Sequence, residues 1–269
     1  MQANLIQRPT RVLISGAAGG LGSAVARRFT ADGARVALTD INADGLVSLA
    51  EELNGLALPA DGTDREALRD VVASAVEELG GLDAVVAAQG AQVTSTASPK
   101  TQDGWLRSLD INLSGVFYLT AEALPHLVHT PGASVVLLSS SAGIFAGPAG
   151  TAGYTAAKTG IVGLTRWLAR EYGPQGVRVN AVSPGWIRTQ LGEGAMAYLA
   201  ERDNLTVEEA YQVATAHVPL RRAAEPEEIA GVCAFLTSSD ASMVTGHTVV
   251  ADGGGAVVDP STEIFDPQL

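Results

Sequence analysis

Tyr154 and Lys158 stand one helical turn apart, about 130 residues after a turn that carries Gly16, Gly20 and Gly22. Residues four apart share a helix face, so a phenol and an ammonium at this spacing can meet. A tyrosine ionises near pH 10 in water, too high for a good base at neutral pH, and a neighbouring cation stabilises its phenolate. Such a pair can move a proton on and off an alcohol oxygen. Any solvated helix face also presents such pairs by accident. What distinguishes this one is the order of the motifs around it.

The first of these runs Ser15-Gly16-Ala17-Ala18-Gly19-Gly20-Leu21-Gly22, after the aliphatic run Val12 to Ile14 and ahead of an amphipathic segment with Leu21, Val25 and Phe29. Glycines permit a tight turn and close backbone approach, and the helix that follows offers unpaired N–H groups and a positive dipole end to a pyrophosphate. A second aliphatic run ends in Asp40, about 20 residues on, where a carboxylate can accept two hydrogen bonds from a ribose diol. The pattern fits NAD better than NADP. A 2'-phosphate would face the Asp40 charge, neither Thr39 nor Ile41 supplies a compensating arginine, and Arg35 lies too far back. The lesser expectation is that Asp40 only caps the turn to Asn42.

Positioning these groups calls for a parallel sheet. Short aliphatic runs recur at Val12 to Ile14, Val36 to Leu38, Leu56 to Leu58, Ala84 to Ala87, Ser134 to Leu138, Val177 to Val182 and His247 to Ala251. They read as buried strands alternating with helices. The expected fold class is α/β: a Rossmann-like, doubly wound parallel sheet of about seven strands, with helices on both faces and right-handed crossovers. With no repeat or linker in view, residues 1–269 are expected to form a single domain. Thr63 with Glu66 reads as a capping box for a helix ending at Gly80-Gly81, and Pro226 as the first turn of another. Residues 190–220 form a long segment between the sixth strand and Pro226. The tail at 255–269, with Pro260 and Pro267, looks irregular.

The 17 basic and 29 acidic residues give a formal charge of -12, which argues against nucleic acid or an anionic membrane as partner. The lone cysteine, Cys233, lies in the apolar run Ile229 to Leu236 and reads as a buried thiol. No export signal or membrane span is evident, so a cytoplasmic protein is expected. His126, His129, His217 and His247 lack metal-ligand spacing, so no metal is assigned, and no serine-nucleophile elbow suggests hydrolysis.

Taken in order, these motifs resemble the short-chain dehydrogenase/reductases from roughly Arg11 to Gly254. Ser15 takes that family's threonine position before its glycines, and Asp61, followed by Gly62, matches its adenine-contacting aspartate. Where the family reads Asn-Asn-Ala-Gly, this chain has Ala87-Ala88-Gln89-Gly90, which leaves the missing asparagine's bracing role to Gln89 or a water. Asn112 matches the asparagine of the proton-relay tetrad. The serine is Ser140 when anchored on the strand and on Gly143, or Ser141 when counted back from Tyr154; we place it at Ser140. Asn180-Ala181-Val182-Ser183-Pro184-Gly185 and Asp252-Gly253-Gly254 match further family signatures.

The resemblance implies that Ser140 binds the substrate oxygen and Tyr154 exchanges the proton. Lys158 would lower the Tyr154 pKa and hold the nicotinamide ribose, and Asn112 would support a water leading to solvent. It assigns cofactor contacts to Ser15, Gly16, Gly20, Leu21, Gly22, Asp40, Ile41, Asp61, Gly62, Gly90, Pro184 and Gly185, to Ile187 and Thr189 at the carboxamide, and to Tyr154 and Lys158. It also implies a homotetramer joined through the helices containing Trp105 to His129 and Tyr154 to Tyr172.

Substrate choice is expected in 190–220, a lid segment where Met196, Tyr198, Leu199, Leu205, Val207, Tyr211 and Val213 are either pocket wall or the packing of the lid itself. Trp186 poses the same choice, and Gln92 to Thr101 would form the opposite rim. Arg188, Arg202, Arg221 and Arg222 are candidate anion receivers, though arginines at helix ends are usually paired. The reading is an NAD-dependent oxidoreductase acting on a fairly apolar secondary alcohol or ketone. One alternative is a 3-oxoacyl thioester reductase, disfavoured by Asp40. Another is an NAD-sensing regulator without turnover, disfavoured by the intact serine, tyrosine and lysine.

Overall fold

The computed structural model describes residues 7–98, 102–259 and 261–262. The expected residues 99–101 of the cleft rim, Pro260 and Pro267 fall outside them. Seven parallel strands form one sheet: β1 (Arg11–Ser15), β2 (Arg35–Thr39), β3 (Leu56–Ala57), β4 (Ala84–Ala87), β5 (Ser134–Leu138), β6 (Arg178–Pro184) and β7 (Thr248–Ala251), in the order β3-β2-β1-β4-β5-β6-β7. The fold is the expected Rossmann-like α/β arrangement.

Each strand sends alternate side chains to opposite faces, which sorts the core into two layers. Leu13, Val85, Val135 and Leu137 meet α3 (Arg65–Leu79), α5 (Gly115–Leu127) and α6 (Ala152–Tyr172). On the other face Val12, Ile14, Val86 and Val136 meet α1 (Gly20–Ala31), α2 (Ala43–Leu53) and α9 (Pro226–Thr237). Leu13, Ile14 and Leu137 are wholly buried, so truncating any one to alanine or an equivalent small residue costs about 2–5 kcal/mol. Cys233 is buried in the second layer, and burial pushes its thiol up to about 12, so it is inert at neutral pH.

One boundary differs from the sequence reading. The N-cap of α3 is Asp64, whose carboxylate accepts the Glu66 and Ala67 N–H groups, while the Thr63 hydroxyl donates to Asp61 instead. A carboxylate one residue closer to the helix satisfies two orphan donors, which displaces the Thr63–Glu66 box. Gly80 ends α3 in the left-handed conformation, as expected. True boxes join Thr206 to Glu209 and Glu225 to Glu228, the latter directly before Pro226.

The strand order reverses direction between β1 and β4, so the loops leaving their carboxyl ends splay apart and leave a crevice there. α4 (Gln102–Leu109), a π-helical turn at Asp110–Ser114 and α5 run past one side of it. The start of α7 (Gln190–Asp203) borders the other side, and α8 (Val207–Ala214) packs on α7. No described helix is long and apolar enough to cross a membrane.

Candidate active site

The crevice is a cavity of about 780 Å³. Its floor is the glycine turn. Gly16 has φ +65°, and a Cβ there would stand 2.6 Å from the Gln89 Cα; a Cβ on Gly22 would run into the Gly16 carbonyl oxygen. The turn is tied to β2 by Ala17 N–H donating to the Thr39 carbonyl and Ala18 N–H to the Asp40 carboxylate. Gly19, the N-cap, has no side-chain acceptor, and Gly20 and Leu21, which line the cavity, begin a first turn whose N–H groups have no partner among the described residues. That cradle fits a pyrophosphate.

Asp40 sits at the rim, accepting the Ala18 N–H at 3.0 Å and the Asn42 N–H at 2.9 Å. It therefore does cap the turn to Asn42, the use expected to be minor, and each oxygen retains a lone pair for a ribose hydroxyl. Asp61 is held below the usual carboxylate range by the Thr63 N–H and hydroxyl that it accepts. Gln89 fills the bracing role that Ala88 leaves open: its amide N–H₂ donates to the carbonyls of Gly62 (3.3 Å) and Ile111 (3.4 Å). The donor comes from one residue further along, and Gly62 and Gly115 are small enough to admit it.

At the far end Tyr154 occupies the first turn of α6, and Lys158 lies one turn on with its Nζ 5.6 Å from the Tyr154 ring centroid. The Lys158 ammonium donates to the Leu138 carbonyl at 2.8 Å, and burial lowers its pKa to about 8, so it stays largely charged at neutral pH. Burial raises the Tyr154 pKa, opposed by hydrogen bonding to Ser140. The lowering expected from Lys158 is not seen: the shift is upward, and the partner that opposes it is Ser140. Of the two candidate serines, Ser140 is the one paired with Tyr154; Ser141 opens a 3₁₀ turn, its carbonyl accepting the Phe145 N–H.

Asn112 is wholly buried in the π-helical turn, its amide bonded to both backbone groups of Ala91 and to the Ser108 carbonyl. A Cβ on Gly90 would lie 3.0 Å from Asn112 Oδ1 and 3.2 Å from Lys158 Nζ, so these three residues meet. Ser15, Leu21, Asp40, Ile41, Asp61, Gly62, Gly90, Pro184, Gly185, Ile187 and Thr189 all line the cavity along with the glycine turn, Tyr154 and Lys158. Asn112, wholly buried, does not line it, and Ser140 is half-buried at its edge, between lining Ser139 and Ala142 and paired with lining Tyr154.

The lid divides. Met196, Tyr211 and Ala210 are buried against Leu199, Leu205 and Trp186, so they pack α7 on α8. Tyr198, Val207 and Val213 face outward. Gln190, Leu191 and Gly192 are the lid residues that reach the cavity, and Trp186 both walls it and joins the lid cluster. Three candidate anion receivers are already engaged: Arg188 with Glu208, Arg202 with Asp203 and Arg222 with Glu228.

Sequence reasoning missed Ser95. This wholly buried residue accepts the Gly153 N–H on its hydroxyl (2.8 Å) and the Ala152 N–H on its carbonyl (3.0 Å), capping α6 just before Tyr154. Thr151, the residue in the N-cap position, makes no side-chain cap. A serine so distant in sequence carries no local signal.

The fold and this arrangement together place the chain in the short-chain dehydrogenase/reductase family, to which it belongs: residues 16–255 match the family described as "Enoyl-(Acyl carrier protein) reductase". It is an oxidoreductase of that family, interconverting secondary alcohols and ketones with a nicotinamide cofactor. Similar proteins include Protein MoaE of Klebsiella aerogenes, 38% identical over 94% of this chain and 98% of that one. Meso-2,3-butanediol dehydrogenase of Serratia marcescens is 35% identical, covering 94% and 97%. A 3-oxoacyl acyl-carrier-protein reductase of Thermotoga maritima is also 35% identical, covering 90% and 96%. Among solved structures, levodione reductase superposes with a TM-score of 0.86 at 33% identity, covering 94% of this chain and all of that one.

Proposed function

We propose that the chain is an NAD-dependent dehydrogenase of an uncharged secondary alcohol, working reversibly on the ketone, with Ser140, Tyr154, Lys158 and Asn112 as its catalytic residues. The observation that carries this reading is the convergence of Tyr154, Ser140 and Lys158 at one end of a cavity whose other end holds the glycine cradle and Asp40. Bound nicotinamide supplies the hydride acceptor or donor. The protein supplies the proton path. Ser140 orients the substrate oxygen, and Tyr154 takes its proton in oxidation or returns it in reduction. The buried Lys158 cation favours the phenolate when an additional positive charge enters the site, and the Asn112 turn holds the relay beside Gly90.

Asp40 supports NAD over NADP, since a phosphate on the ribose would be repelled by a carboxylate already committed to two backbone N–H groups. An uncharged substrate is supported by the pairing of Arg188, Arg202 and Arg222, and by the position of Arg107, the cavity-lining arginine, beside Asp61 rather than Tyr154. The Thermotoga relative favours a second reading, reduction of a 3-oxoacyl thioester. We further read the chain as a single cytoplasmic domain that assembles as a homotetramer. Supporting that assembly, Trp105, Phe117 and Trp167 are exposed on α4, α5 and α6. Calorimetric binding of NAD and NADP, with initial rates on neutral and carboxylate-bearing alcohols of equal length, tests the reading. Tighter NADP binding or a preference for the anion overturns it.

A further inference from the structure

Arg188 lies between Ile187 and Thr189, in the turn that leaves β6 along the cavity wall. All of its polar reach points away from the cavity. Its two terminal nitrogens donate to the two Glu208 carboxylate oxygens at 2.8 Å each, its Nε lies 3.6 Å from Glu225, and the guanidinium stacks 4.5 Å above the Tyr211 ring centroid. The backbone is stapled alongside: Arg188 N–H donates to the Ala224 carbonyl and Ala224 N–H to the Trp186 carbonyl, both at 2.9 Å.

Glu208 and Tyr211 belong to α8, no residue of which lines the cavity. Tyr211 is nonetheless only 2% exposed, and its hydroxyl has no hydrogen-bond partner among the described residues. That hydroxyl stops directly behind the cavity wall, because a Cβ on cavity-lining Gly192 would meet it at 3.0 Å and would also run into the Ile187 carbonyl oxygen. A buried phenol without a partner is costly, and the Ile187 carbonyl on the other side of Gly192 already accepts the Thr189 N–H, so the α8 ring and the turn are tied through Arg188 and not through this hydroxyl. An exposed ion pair alone transmits little, but a planar fork fixed on two oxygens and stacked on a buried ring holds both position and orientation.

We propose that Arg188 is a positioning residue that joins the Ile187–Thr189 turn to α8, so that seating a nicotinamide nucleotide on the turn and docking the lid helix are one coupled equilibrium. The inference rests on the reading above that Ile187 and Thr189 hold the nicotinamide. Coupling of this kind is reciprocal: what NAD does to α8, α8 does to NAD affinity.

The test is hydrogen exchange read peptide by peptide in the full-length wild type and in Arg188→Gln, with and without NAD, beside calorimetric NAD binding. In the wild type NAD is expected to slow exchange in 207–214 at least about fivefold, although that helix does not border the cavity. In Arg188→Gln it is expected to bind about tenfold more weakly and to leave α8 exchange unchanged. Glu208→Gln, an exposed change on the other side of the pair, should reproduce the effect if Arg188→Gln does not fold. NAD binding to the wild type without slowing at α8, or slowing that survives in both variants, overturns the coupling alone. A wild type that binds no NAD overturns the cofactor reading and the coupling with it.

Discussion

Lys158 Nζ lies 5.6 Å from the centre of the Tyr154 ring and donates, among the described residues, to one acceptor, the Leu138 carbonyl at the end of β5. A cation buried with one hydrogen bond destabilises the fold that it serves. Its pKa falls from 10.5 to about 8, so between those values the folded protein binds fewer protons than the unfolded chain. This group's contribution to stability therefore rises with pH through that window, and the cost of burying the charge is fully present below it. Lys158→Met is expected to raise the melting temperature at pH 7 by several degrees, an advantage that shrinks toward pH 10. Thermal unfolding of both proteins at matched pH checks this, and an advantage that is absent at pH 7 or constant with pH contradicts it.

Asp40 is expected to set the cofactor. Replacing it with serine and Ile41 with arginine removes a repulsion and adds a phosphate partner. The NADP-to-NAD ratio of kcat/KM should rise by roughly two orders of magnitude. A ratio that does not move would place cofactor selection elsewhere on the rim.

Gly90 is the contact between the relay and the lysine. In Gly90→Ala the new Cβ would press on Asn112 Oδ1 at 3.0 Å and Lys158 Nζ at 3.2 Å. Shifts of under an ångström at reacting groups lower turnover by about a hundredfold. The expected pattern is lost kcat with a melting temperature near the wild type; full kcat would show that the relay tolerates displacement.

Ser95 anchors the first turn of α6. Removing its hydroxyl leaves the buried Gly153 N–H unpaired, at a cost of about 1–3 kcal/mol. Ser95→Ala should lower kcat while leaving NAD affinity within about twofold, since the glycine cradle is at the other end of the cavity. Unchanged kcat would make Ser95 a purely structural cap.

The central strands were legible because a strand buried on both faces must be aliphatic almost throughout, as Val12 to Ile14 and Val135 to Leu138 are; the half-buried edge strands β3 and β7 were legible from shorter aliphatic runs. The glycine turn was legible because its close approaches admit no side chain at Gly16 or Gly22. Contacts made across the fold were not. Ser95 caps a helix 57 residues away, Gln89 reaches the Gly62 and Ile111 carbonyls, and the pairing of Arg188 with Glu208 depends on where α8 docks. The choice between Ser140 and Ser141 turns on how the chain leaves β5, a matter of backbone direction that no residue type encodes. Thr63 against Asp64 failed for a related reason, since two good capping residues in a row compete and only the loop's path decides.

The most direct measurement is nicotinamide absorbance under steady-state conditions, with NAD and NADP against a panel of neutral secondary alcohols and diols, for the wild type and Tyr154→Phe. The account predicts turnover with NAD that falls about a thousandfold or more in the variant while calorimetric NAD affinity is retained. A variant that keeps its turnover would contradict Tyr154 as the acid and base, and a wild type that binds NAD but oxidises nothing in the panel would contradict the assigned reaction.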